Sequence, residues 1–271
     1  MATILQGKME HIEVEQPHWH VSSSVLCNYM KKPEFLEMIL QNKTIIPRYV
    51  VERLDYLKLE ELERIAFPMT CFCDIPFAKV GHHMSRYGYY GIALDKQKLI
   101  KRCKVQPVHY INPESPLADD FREAIRGYYQ NEKKVCAEDK VLLDYVLSTL
   151  LYMKPISNVE ISGGEEEPYI YQDECEWRYI PTQNFPSSIP LFMSEDQMSE
   201  KGRNAYSDVL AKHRETWIDF EWEDIKYIIV PDENALDRII NVLKELPLGD
   251  DTKYRVMSRI EISNRFKEDL A

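Results

Sequence analysis

The stretch QDECEWRYIP, residues 172–181, spaces two carboxylates and a guanidinium two residues apart. At strand periodicity Gln172, Glu174, Glu176 and Arg178 share one face, while Cys175, Trp177 and Tyr179 share the other. Pro181 closes the run. A half-buried strand with an apolar core face has this pattern. Carboxylates two residues apart on a strand stand about 6.5–7 Å from each other. That separation suits cleavage of an N-glycosidic bond. One carboxylate binds a ribose hydroxyl in the ground state and meets the positive charge that develops on the sugar. The second orients or deprotonates the incoming acceptor. Paired surface glutamates are common, so the same residues also describe a solvated strand face.

Three other groups of side chains have chemical potential. His18 and His20 fall on one face of HWHVSS, residues 18–23. They read as a structural pair, as metal ligands, or, with Ser22 joining His20, as hydrogen-bond donors to ligand hydroxyls. Tyr87, Tyr89 and Tyr90 surround a glycine in YGYYGIALDK; they form either a stacking wall for a flat ring or the core and rim of an edge strand. Cys71 and Cys73, with His82 and His83 nearby, suggest zinc. C-x-C followed by H-H is not a common zinc spacing, so buried strand cysteines are the better reading and no metal is expected.

Several function classes are disfavoured. Only nine glycines occur in the 271 residues. No G-x-G-x-x-G follows a strand, and there is no Walker A sequence or G-x-S-x-G elbow. The serines at 22–24 read as helix caps rather than nucleophiles. A formal charge of −11 opposes indiscriminate nucleic-acid coating but leaves room for a local basic groove or masking by a partner. The six cysteines contain no C-x-x-C pair, which fits a reducing compartment. The start lacks a signal-peptide pattern, and no apolar run approaches a membrane span. The expected location is the cytoplasm, with no membrane partner.

The elements that must position these residues follow from periodicity and punctuation. A short strand is expected at 18–23 and a helix over VLCNYMKKPEFLEMILQNK, broken near Pro33. DYLKLEELER, residues 55–64, reads as an amphipathic helix. FPMTCFCDIPF, YYGIALDK, VQPVHYIN and IYQDECEWRYIP read as strands, with a helix or turn at KVGHHMSRYG. Residues 117–154 read as a helical insertion, their apolar spacing clear in VLLDYVLSTLLYM. A helix near 200–216 precedes the strand IKYIIV, the acidic cap after Pro231 and another helix. KYRVMSRIEI reads as a final strand. Strands interleaved with helices without regular βαβ spacing imply one α+β domain, residues 1–271, with a mixed sheet.

HWHVSSSVLCNYMKKPEFLEMIL, PMTCFCDIPF, YGYYGIALDK, ECEWRYIP and the tail IDFEWEDIKYIIVP together resemble the AbiGi family of abortive phage-resistance proteins. CFCDIP followed by YG-YYGIAL is the most specific part. The family is described as the antitoxin half of a two-gene system, which implies a partner toxin. The same order is more loosely similar to ADP-ribosyltransferase toxins of the DarT and CmdT kind. That likeness implies a split mixed sheet and NAD as substrate. Its acceptor would be nucleic acid, including single-stranded RNA, or protein. It also implies that His20, with Ser22 beside it, holds NAD, that Tyr87, Tyr89 and Tyr90 lie near nicotinamide, and that Glu176 or Glu174 is catalytic. Arg48 and Arg86 are the candidates to meet the NAD phosphates. No Ser-Thr-Ser motif is present on a middle strand. The leading expectation is therefore an NAD-dependent ADP-ribosyltransferase effector of phage defence. The alternatives are a non-catalytic antitoxin and a nucleotide sensor.

Overall fold

The computed structural model describes residues 22–265, apart from 60–61, 132–136, 163–164 and 184. In chain order, β1 (Val25–Met30) leads to α1 (Pro33–Asn42), β2 (Thr44–Ile45), β3 (Arg48–Arg53) and the long β4 (Arg64–Cys73). Then follow α2 (Gly81–Tyr87), β5 (Tyr90–Asp95), α3 (Lys96–Cys103), β6 (Gln106–Pro107) and β7 (His109–Ile111). Helices α4 (Pro116–Asn131) and α5 (Ala137–Leu151) occupy the expected insertion. The chain continues through β8 (Met153–Pro155), β9 (Ser157–Ser162), β10 (Glu165–Ile170) and β11 (Glu176–Tyr179). The last elements are α6 (Glu200–Leu210), β12 (Ile218–Asp219), β13 (Ile225–Val230), α7 (Glu233–Glu245), α8 (Asp250–Met257) and β14 (Ile260–Ile262).

Seven strands run in the order β14-β13-β5-β1-β4-β11-β6, and β3 pairs with β4 as the eighth. Pairing is antiparallel throughout this sheet except between β13 and β14, so the α+β class with a mixed sheet holds. The alternation of buried residues divides the core between the sheet's two faces. Leu26, Ile92, Leu94, Ile228 and Val230 pack beneath α1, α3, α7 and α8. On the other face Cys27, Cys73, Ala93 and Ile229 meet Met84 of α2. Farther along β4, Ile65, Phe67 and Met69 meet Ile125 of α4 and Val146 and Leu150 of α5. Cys71 and Cys73 continue the same β4 alternation, and Arg178 and Glu176 lie opposite them on β11. A polar strip therefore runs between two apolar clusters.

Several expected elements differ. VLCNYM is the central strand β1 rather than the start of a helix: β4 and β5 pair with its two edges, and its apolar residues are buried on both faces of the sheet. A short apolar run does not distinguish the two by periodicity. Pro33 begins α1 at its first turn instead of breaking it. Among the described residues of 55–64 the helical structure is a 3-10 turn at Asp55–Leu57, which buries Tyr56 and Leu57. KYRVMSRIEI divides into the end of α8 and the short β14. The proposed strand at 18–23 falls mostly outside the described residues, and Ser22–Ser24 are not strand.

One glycine fixes how α2 meets β1. Gly88 has φ 118°, and a Cβ built there would lie 2.1 Å from the Met30 carbonyl oxygen. Only glycine tolerates both the backbone conformation and the approach. Gly88→Ala should therefore lower stability by at least ~2 kcal/mol, read as a shift of the urea midpoint. A change below a few tenths of a kcal/mol would contradict this packing.

Candidate functional site

The E-x-E segment is not one continuous strand. Tyr171–Glu174 form a 3-10 turn, and Cys175 takes φ 43° before β11 begins at Glu176. The left-handed residue reverses the expected alternation. Cys175 is exposed rather than in the core, and Glu174 reaches the site from the turn. Glu176 and Arg178 keep their common strand face, and Trp177 packs half-buried against the other.

These carboxylates do not face bulk water. Glu174 and Glu176 are 3% and 6% exposed, and Arg178 is fully buried. Lys154 of β8 lies 2.7 Å from Glu174 and 2.8 Å from Glu176. Arg178 lies 2.8 Å from Glu176 and 2.8 Å from Glu52 of β3. It also donates to the Leu151 carbonyl oxygen at 2.6 Å. Tyr110 Oη accepts from the Glu176 backbone N–H at 2.8 Å. Glu174 accepts from the Tyr169 hydroxyl at 2.9 Å and from the Tyr87 hydroxyl. Charges buried this deeply persist only when paired and hydrogen-bonded.

The ionisation states follow from the same geometry. Burial pushes the Glu176 carboxyl up, but the Arg178 guanidinium and the Lys154 ammonium overcome it and hold it well below the usual carboxylate range. Burial alone would lower Lys154, yet Glu176, Glu52 and Glu174 hold it well above an ordinary lysine. Burial raises the Tyr87 hydroxyl, and Glu174 raises it further. All three groups keep their ordinary charges near neutrality.

The cluster forms one wall of a cavity of about 330 Å³. Tyr29 of β1 and Cys71 and Cys73 of β4 line it, as do His83, Arg86 and Tyr87 of α2. Glu160 of β9 and Tyr171 close another side. Arg86 lies 2.6 Å from Glu160, and its guanidinium stands 4.1 Å above the Tyr169 ring. Tyr171 donates to Glu160 at 2.5 Å. Burial would raise the Glu160 carboxyl, but the Tyr171 hydrogen bond and Arg86 outweigh it and hold it lower than usual.

The structure thus gathers Glu174, Glu176, Arg86 and Tyr87 of the expected residues at one cavity. Arg48 is elsewhere: it is exposed and donates to Asn204 on α6 at 3.0 Å. Tyr89 packs beside Phe77 and Tyr227, and Tyr90 packs on the opposite face of the sheet. A stacking wall of three tyrosines is therefore not formed, because the strand alternation parts the second from the third. Ser22 lies on the rim of an adjoining groove that also touches Asp74, His83 and Glu174. His20 lies outside the described residues, as does His18. Among the described residues, no three His, Cys, Asp or Glu side chains converge on a metal position.

A family model described as "Putative abortive phage resistance protein AbiGi, antitoxin" matches residues 43–231. The chain belongs to the AbiGi family. The matched span includes β3, β4, α2, β8 and β11, which supply Glu52, Cys71, Arg86, Lys154 and Glu176. It is also similar to the abortive phage resistance protein AbiGi of Lactococcus lactis subsp. cremoris, with 28% identity over 248 residues. That match covers 83% of this chain and 98% of the Lactococcus protein. No solved structure matches. Among the described residues no helix is long and apolar enough to cross a membrane.

Sequence reasoning missed Lys154, Glu52, Glu160 and Tyr171 as members of this AbiGi site. Lys154 carried one usable signal, a lone cation directly after the apolar run VLSTLLYM. Glu52 and Glu160 had none, since β3 and β9 reach the site only through the tertiary fold, and Tyr171 opens the same turn as Glu174.

Proposed function

We propose that this chain is the antitoxin half of a two-component abortive-infection system, a non-catalytic protein that binds and neutralises a partner toxin. The description of the AbiGi family supports that reading. So does the excess of acid over base, which suits a basic surface on the partner. The observation that carries the choice over catalysis is the pairing of Glu176 with both Arg178 and Lys154. A catalytic carboxylate must present net negative charge to the forming ribosyl cation. Arg178 and Lys154, both within 2.8 Å, hold that charge in ion pairs before substrate arrives and weaken the field it presents.

The test is co-expression with the partner toxin of the system. Expression of this chain alone should leave growth unchanged, and co-expression should restore growth that the toxin arrests, with the two proteins co-purifying. Growth arrest by this chain alone would overturn the proposal.

ADP-ribosyl transfer from NAD to a nucleic-acid or protein acceptor is the second reading. The placement of Glu176, Glu174 and Tyr87 on one cavity favours it. In that reading the cavity holds the ribose, Glu176 faces its anomeric carbon and Arg86 meets the phosphates, within an ADP-ribosyltransferase-like sheet. Nicotinamide release by purified protein, with the acceptor and toxin supplied, separates this reading from the first.

A further inference from the structure

A basic groove adjoins the cavity. Lys31 and Lys32 lie where β1 passes into α1, and with Phe35 they line this groove. Arg86 and Tyr87 line both the groove and the cavity, so one opens beside the other. The close approach of Gly88 to Met30 brings the two sets of cations together. Lys31 and Lys32 are exposed and make no ion pair among the described residues. Inside the cavity the situation is reversed. Glu52, Glu174 and Glu176 share Lys154 and Arg178, which leaves one carboxylate charge in excess, and Glu160 pairs with Arg86. Two polar groups on the cavity wall, the Tyr29 hydroxyl and His83 Nδ1, are buried and have no hydrogen-bond partner.

We infer that cavity and groove together bind a nucleoside 5′-phosphate, its sugar and base inside and its phosphate on Lys31, Lys32 and Arg86. The surplus carboxylate disfavours an anion inside, and the carboxylates already held by Lys154 and Arg178 offer a ligand lone pairs that accept hydrogen bonds. A neutral, hydroxyl-rich moiety fits both conditions. Its hydroxyls donate to carboxylate oxygens, and it pairs with Tyr29 and His83, which are unfavourable to leave unpaired. A volume of about 330 Å³ accommodates one such moiety and leaves its charged end outside. At the mouth, two lysines and a guanidinium supply donors suited to phosphate. Tyr87 is placed to contact the joint between the two halves. This inference goes beyond toxin neutralisation and does not depend on it. A free mononucleotide and the nucleotide half of NAD share this chemistry.

Calorimetric titration of the full chain tests it with AMP, UMP, NAD, the two nucleosides and inorganic phosphate. At least one nucleotide should bind tenfold or more tightly than its nucleoside. The paired substitution Lys31→Glu and Lys32→Glu should weaken that nucleotide tenfold or more and leave nucleoside binding unchanged. Both side chains are exposed, so the variant should keep the wild-type unfolding midpoint. Tyr29→Phe should weaken nucleotide and nucleoside alike. Binding of NAD but neither mononucleotide would assign the dinucleotide as the source. Equal affinity for nucleotide and nucleoside, indifference to the charge reversal, binding of phosphate alone, or no binding would each overturn the inference. Because toxin rescue is a separate readout, a failed titration with intact rescue leaves the antitoxin reading standing.

Discussion

Arg178→Ala should destabilise this protein by about 3–5 kcal/mol, a large share of the ~5–15 kcal/mol that holds a typical domain folded. Arg178 is the largest fully buried side chain and spans Glu52, Glu176 and the Leu151 carbonyl oxygen. Its removal leaves Glu52 without its cation and Glu176 with Lys154, which Glu174 shares. Breaking one partner of a buried ion cluster costs more than the cluster itself contributes, because the remaining charge has lost its solvent and its counter-ion. Arg178→Lys should recover part of the loss, since an ammonium keeps the charge but cannot span three acceptors with a planar fork. Urea denaturation near neutral pH measures both. A loss below ~1 kcal/mol for the alanine variant would mean that the cluster is solvated and the site open.

Glu176→Gln should cost about 3 kcal/mol of stability while leaving toxin neutralisation intact below the variant's unfolding temperature. Glutamine keeps one carbonyl acceptor but removes the carboxylate that Lys154 and Arg178 share, leaving each a single ion-pair partner, Glu174 and Glu52. The penalty has a predictable pH dependence. Burial works against the Glu176 carboxylate, and Arg178 and Lys154 more than reverse it, so its folded pKa lies below its unfolded one. Stability from such a depressed carboxyl is present above the unfolded value of ~4.3 and falls away as pH drops toward the folded pKa. The gap between wild type and variant should therefore narrow below about pH 4. Lys154, raised above its usual value, has the opposite sign: its contribution is present below ~10.4 and is lost as pH rises through its folded pKa. If Glu176→Gln instead abolishes nicotinamide release by an active wild type, by a hundredfold or about 2.7 kcal/mol in barrier, the catalytic reading prevails.

The contrast between α7 and β1 shows what local sequence decided. Asp232 after Pro231 and the apolar spacing of Ala235, Ile239 and Leu243 specify a capped helix wherever it packs, and α7 forms it. The β4, β5 and β13 strands and the α4–α5 insertion were legible for the same reason: each carries its own periodicity and terminators. VLCNYM carries neither, since a strand covered on both faces and a turn of buried helix look alike over six residues. Only pairing with β4 and β5 makes it the central strand. The site divides along the same line. Types and spacing put Glu174, Glu176 and Arg178 on one face and left open a joint chemical role or a solvated strand; Glu176 and Arg178 meet directly, and Glu174 joins them through Lys154. Whether they face a substrate or one another was decided by Lys154 and Glu52, which approach from strands distant in sequence. Net charge at a buried carboxylate is a sum over neighbours in space, and a linear sequence does not contain that sum.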